Sequence, residues 1–164
     1  MRILGIDPGL AIVGFALIDV EGNNYKPVDY GIIETYSTED LPTRLSKIYN
    51  SMITIIDNYK PDEVAIEELF FNKNVKTAIE VGHARGVEVL ACKNAGLEIY
   101  EYTPLQVKQS ITGYGRATKK QMQETVKNLL NLKDIPKPDD AADALAISII
   151  HASSLRFKDM YKMR

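Results

Sequence analysis

Tryptophan is absent from this 164-residue chain, which holds one cysteine and two histidines. A single thiol, Cys92, can neither close an intramolecular disulfide nor build a cysteine zinc cage, and in its Ala-rich apolar surroundings it reads as core packing. His83 and His151 fall inside predicted helices with no nucleophile attached, which points to structural roles. No apolar run approaches the roughly 18 residues of a membrane-spanning helix. Asp7 interrupts the N-terminal apolar run directly after Ile6, too early for a secretory core, so a cytoplasmic protein with no membrane contact is expected. Repeats, low-complexity tracts and domain linkers are missing as well, and one folded unit is expected.

What is present is an ordinary globular composition, 45% hydrophobic and 26% charged, with a net charge of −2 that by itself argues against a nucleic-acid partner. The charge is nevertheless segregated. Residues 1–68 hold 12 acidic and 5 basic side chains, whereas residues 69–164 hold 10 acidic and 15 basic. Between positions 105 and 133 stand Lys108, Arg116, Lys119, Lys120, Lys127 and Lys133 against the lone acid Glu124. Such a segment is either a phosphate-neutralising face or a solvated helix surface.

Periodicity predicts strands at Arg2–Asp7, 12–20 and 25–36, the first an almost unbroken apolar run of the kind buried on both faces. A helix with Asp40 as N-cap and Pro42 in its first turn runs to Pro61. A short strand at Glu63–Glu67, a helix at 76–95 and a last strand at Glu98–Tyr102 follow, then helices at 105–111, 119–130 and 140–153. This order gives an α/β fold, a mixed five-stranded sheet flanked by helices on both faces.

Asp7 ends an apolar strand before Pro8-Gly9, so its carboxylate belongs at the sheet's carboxyl edge, where ligands of open α/β sheets gather. Glu67 also ends an apolar run and reaches the same rim if the two strands are neighbours; otherwise it ends a strand in water. Asp140 and Asp143, three apart, share one face of a helix's first turn, although Asp139 or Asp140 could instead cap that helix. Converging acids need a cation, and carboxylates without His or Cys select Mg²⁺ or Mn²⁺. The loop 113–119 lacks the Gly-Lys-Ser/Thr of a phosphate-binding loop. Phe70 and Phe71 cannot easily share one buried face, so one is expected either to stack on a base or to fold back on the core. Gly82 and Gly86, one turn apart in a predicted helix, make a flat strip for close approach by a second copy or by the domain's own sheet.

The segments Gly5-Ile6-Asp7-Pro8-Gly9, Ala65-Ile66-Glu67 with Phe70 and Lys73-Asn74, Ala84-Arg85-Gly86-Val87, Gln106-Val107-Lys108-Gln109 and Asp140-Ala141-Ala142-Asp143-Ala144-Leu145-Ala146 together resemble the RuvC family of bacterial Holliday junction resolvases, collinearly over residues 1–153. The resemblance implies a ribonuclease H-like fold, a homodimer, and Mg²⁺-dependent cutting of two opposing strands of a four-way DNA junction in recombination and repair. Mn²⁺ is expected to substitute, and the RuvA-RuvB branch-migration complex is the implied partner. Asp7, Glu67, Asp140 and Asp143 match the family's metal carboxylates, two ions per site. Lys108 and Lys119 match basic positions near DNA, and Phe70 an aromatic position at the crossover. Lys73, Arg116 and Lys120 complete the expected DNA contacts. Residues 156–164 match no motif and read as a frayed basic tail beyond a single nuclease domain at 1–155. Two rivals are a YqgF-type nuclease acting on RNA, disfavoured by the basic 105–133 segment, and an inactive junction-binding module, which would lack one of the four acids. An actin-like ATPase needs two such domains, for which the chain is too short.

Overall fold

In a computed structural model that describes residues 1–69 and 75–164, strand β1 (Arg2–Asp7) has Ile3, Leu4 and Ile6 fully buried. A strand sealed on both faces belongs at the centre of a sheet. It pairs antiparallel with β2 (Ile12–Glu21) and parallel with β4 (Glu63–Glu67). Outside these lie β3 (Asn24–Glu34), antiparallel to β2, and β5 (Glu98–Tyr102), parallel to β4, so the order is β3-β2-β1-β4-β5. Strand β3 stops two residues short of the predicted end, where the Thr35 hydroxyl donates to the Leu10 carbonyl at 2.6 Å.

Alternation along β1 assigns the two faces. Leu4 and Ile6 pack with α1 (Leu41–Tyr59) and α2 (Val75–Asn94), while Ile3 packs with α3 (Pro104–Thr112), α4 (Lys119–Leu129) and α5 (Asp139–Ser154). The capping residues explain the helix limits. Asp40 accepts from the Thr43 amide at 2.9 Å, and Lys60, in the left-handed region at φ 48°, ends α1 just before Pro61. Thr103-Gln106 and Thr118-Gln121 form capping boxes at α3 and α4. Helix α5 has no side-chain cap, so neither Asp139 nor Asp140 serves as one; Asp139 is held instead by Gln123 and Lys119.

Two strand glycines decide how closely α5 lies on the sheet. A Cβ on Gly5 would stand 2.3 Å from the Ala144 carbonyl oxygen, and one on Gly14 would stand 2.1 Å from that of Asp140. Only hydrogen fits at either place. Ala141, Ala142, Ala144 and Ala146, all buried, complete the close contact.

Residues 156–164 correct the expectation of a frayed tail. A 3₁₀ segment, Leu155–Tyr161, leads to Lys162, which bridges Tyr100, and the Met163 amide donates to the Ile99 carbonyl at 2.9 Å. The tail therefore pairs with the otherwise open edge of β5, while Lys158 and Lys162 meet Glu63 and Glu98. Beneath it, buried His151 joins Tyr102 Oη at 2.7 Å and Glu63 Oε2 at 2.8 Å. A neutral imidazole fits both contacts, accepting from the tyrosine and donating to the carboxylate. Cys92 is buried as expected, and burial pushes its thiol up to about 12. Among the described residues no helix is long and apolar enough to cross a membrane.

Candidate active site

The pairing of Ile6 with Ile66 sets the last residues of β1 and β4, Asp7 and Glu67, side by side at the carboxyl edge. Both follow the alternation of Ile3 and Ala65, which belong to the core on the α5 side, so both carboxylates rise toward α5. Gly14 lies opposite Asp7 in β2 and carries the first turn of α5 on its bare backbone; a Cβ there would also lie 3.2 Å from the Asp7 Cβ. That seat brings Asp140 and Asp143, from a distant part of the chain, over the end of β1.

Electrostatics records the convergence. Burial, followed by the charges of Glu67, Asp143 and Asp140, pushes the Asp7 carboxyl up to about 8, with Lys119 pulling it back. Burial and then Asp143 push Glu67 up to about 7 against the opposing charge of Lys108. Asp143 is also raised, by burial first, while Lys119 works against the shift. Among the described residues no three Asp, Glu, His or Cys side chains are closed up as a ready-made metal cage. The cation beside these acids is an ammonium: Lys119 Nζ lies 3.6 Å from Asp143, one of the four, and 3.1 Å from its neighbour Asp139. The donor set is carboxylate oxygen throughout, which suits a hard divalent ion.

Of the residues expected to face DNA, Lys108, Arg116, Lys119 and Lys120 are exposed on α3, on the loop before α4 and on the first turn of α4. They share the face of the sheet that carries α5. Lys119 differs from the others in being held by the site acid Asp143 and by Asp139, whereas Arg116 and Lys120 have no ion-pair partner among the described residues. Phe70 and Lys73 lie outside the described residues, as does Phe71.

Three contributors were not read from the sequence as site residues. Gly14 carries a signal, since glycine inside a strand marks a close approach. Arg85, singled out only as part of a motif, donates from Nε to the Glu67 carbonyl at 3.1 Å and from Nη2 to Glu101 at 2.9 Å, fixing the end of β4. Glu88 accepts from the Gly9 amide at 3.4 Å. Its signal is spacing: Ala84, Ala91 and Cys92 share its buried helix face.

Comparison with known proteins places these features in a family. The model of crossover junction endodeoxyribonuclease RuvC matches residues 3–151. The crossover junction endodeoxyribonuclease RuvC of Alkaliphilus oremlandii is 60% identical over 164 residues, covering 100% of both chains. The solved structure of Thermus thermophilus RuvC superposes with a TM-score of 0.91 at 33% identity, covering 99% of this chain and 100% of that one. T. thermophilus RuvC in complex with a Holliday junction substrate gives 0.90 at 31%, covering 99% of each.

Proposed function

The chain belongs to the RuvC family of crossover junction endodeoxyribonucleases, and on that premise we propose that Asp7, Glu67, Asp140 and Asp143 hold two Mg²⁺ ions for phosphodiester hydrolysis in a four-way DNA junction. The family's fold and its endonuclease activity on crossover DNA are this chain's own. The observation that carries the metal reading is the crowding of Asp7, raised to about 8 by burial and by three neighbouring acids. A cation relieves that strain, and the all-oxygen donors favour Mg²⁺, with Mn²⁺ as a substitute.

Two such ions, when bound, supply an activated water and charge stabilisation for the departing 3′ oxygen in an in-line displacement. Glu67 on β4 and the Asp140/Asp143 pair on α5 flank Asp7, and these four carboxylates would hold the ions together. Lys119, paired with Asp143 at 3.6 Å, is the cation that would meet the phosphate at this site. Lys108, Arg116 and Lys120 hold the DNA backbone on the same face, and the resemblance adds Phe70 and Lys73 to the DNA contacts. With the four site acids neutralised, the rest of the chain is net positive, which removes the objection raised by its acidic total.

Cutting two opposing strands calls for two sites, and a homodimer provides them. Helix α2 is the interface that fits best. Its outward side shows Ile79, His83, Gly86 and Leu90 at helical spacing, and a Cβ at Gly82 or Gly86 would meet nothing within 4 Å. The glycines therefore do not serve to admit the domain's own sheet. Acting in the cytoplasm, such a dimer would follow the RuvA-RuvB branch-migration complex. The test is incubation of the purified protein with Mg²⁺ and a synthetic four-way junction. Paired nicks in opposing strands, with linear duplex and RNA left intact, are expected; equal cutting of the controls would refute the proposal.

A further inference from the structure

Glu88 is a charged residue type with no exposure at all, and the reaction as described does not use it. One oxygen, Oε1, accepts from the Gly9 amide at 3.4 Å; the other, Oε2, has no hydrogen-bond partner among the described residues. Its neighbours on the buried side of α2 are Ala84, Ala91 and Cys92. Burial drives its carboxyl up to about 8 against the pull of the Gly9 hydrogen bond, so it stays largely neutral. For core packing alone this is a poor choice, because a half-satisfied buried carboxyl is less stable than a methionine of similar volume. Its position supplies the reason. Gly9 closes a turn so tight that a Cβ there would lie 2.1 Å from the Ile12 carbonyl oxygen, and that turn begins at Asp7. One helical turn earlier, Arg85 grips the carbonyl of Glu67. Helix α2 thus reaches the strand ends that carry both sheet carboxylates.

We propose that Glu88 is a positioning residue for junction cleavage: by accepting from the Gly9 amide it fixes the Asp7-Pro8-Gly9 turn and with it the direction of the Asp7 carboxylate. The inference rests on the reading of Asp7 as a metal-holding carboxylate. Glu88→Met keeps volume and loses the acceptor, whereas Glu88→Gln keeps the acceptor without a charge. The measurements are single-turnover cleavage of a four-way junction in Mg²⁺, junction affinity without divalent ions, melting temperature, and the amide NMR resonance of Gly9. Glu88→Met should melt no lower than the parent and bind the junction equally. Its Gly9 resonance should shift and its cleavage slow by about tenfold or more, the scale expected for a misdirected reacting group. Glu88→Gln should restore the resonance and most of the rate. Parental cleavage by Glu88→Met would overturn the proposal. So would a loss of rate that merely tracks a loss of folded protein, or a glutamine variant no better than the methionine one. Asp7→Asn, run alongside, separates the two readings: slow cleavage by it beside parental cleavage by Glu88→Met overturns the role of Glu88 alone, whereas parental cleavage by Asp7→Asn overturns the metal assignment and with it the inference that rests on it.

Discussion

At the scale of single residues, the same side chain behaves in opposite ways according to its neighbours. Asp19, bound by Arg2, lies below its ordinary range, whereas Asp7, buried among acids, is raised to about 8. His151 carries a prediction of its own. Burial lowers its pKa below the ordinary 6.5, against the Glu63 hydrogen bond that raises it. The unfolded chain therefore takes up a proton at His151 near pH 6.5 before the folded one does, and the stability contributed by neutral His151 is lost as pH falls below 6.5. Raised carboxylates such as Asp7 and Glu67 act in the opposite sense, so the informative quantity is a difference. The melting-temperature gap between parent and His151→Leu, measured without metal, should be widest above pH 6.5 and narrow below it. A gap independent of pH would show that burial of the neutral ring is not what holds the tail and α5 together. Much of this scale was legible in advance: Asp7 before Pro8-Gly9, Glu67 at a strand end, and the paired Asp140 and Asp143. The pairing of Lys119 with Asp139 and Asp143 was not, because it joins side chains 20 and more positions apart that local pattern does not relate.

At the scale of elements, strands and helices followed from periodicity and caps, with ends shifting by a residue or two where a hydroxyl or a left-handed residue intervened. Helices α2 and α5 show what local pattern leaves out. Helix α5 is placed by the missing side chains of Gly5 and Gly14 beneath it, and α2 leaves an open strip at Gly82 and Gly86 that meets nothing of its own domain. The tail failed as a sequence reading for a related reason: a short polar segment looks frayed until an unpaired strand edge is found for it. Replacement of Gly86 by Leu tests α2 as a dimer surface. The added side chain meets no atom of its own domain and favours the helix, so the fold should survive, at a gain of up to about 1 kcal/mol in helix propensity. Sedimentation should shift from dimer toward monomer. A variant that stays dimeric with an intact fold would place the interface elsewhere.

At the scale of the whole molecule, one sheet separates two tasks. The α1/α2 face supplies packing, the proposed dimer strip and the grip of Arg85 and Glu88 on the strand ends. The opposite face carries α5, the four acids and the exposed cations of α3 and α4. On the proposed reading, chemistry and DNA binding depend on different charges, negative at the rim and positive around it, and one substitution separates the two. The most direct measurement is junction cleavage by Asp7→Asn in Mg²⁺, with binding of the same junction followed in parallel. Asparagine keeps the shape of aspartate but loses the charge that the proposed metal site depends on. Cleavage should fall by roughly a thousandfold or more, about 4 kcal/mol of transition-state stabilisation, while binding stays level or strengthens as one negative charge leaves the site. Cleavage near the parental rate, with the junction still bound, would contradict the account.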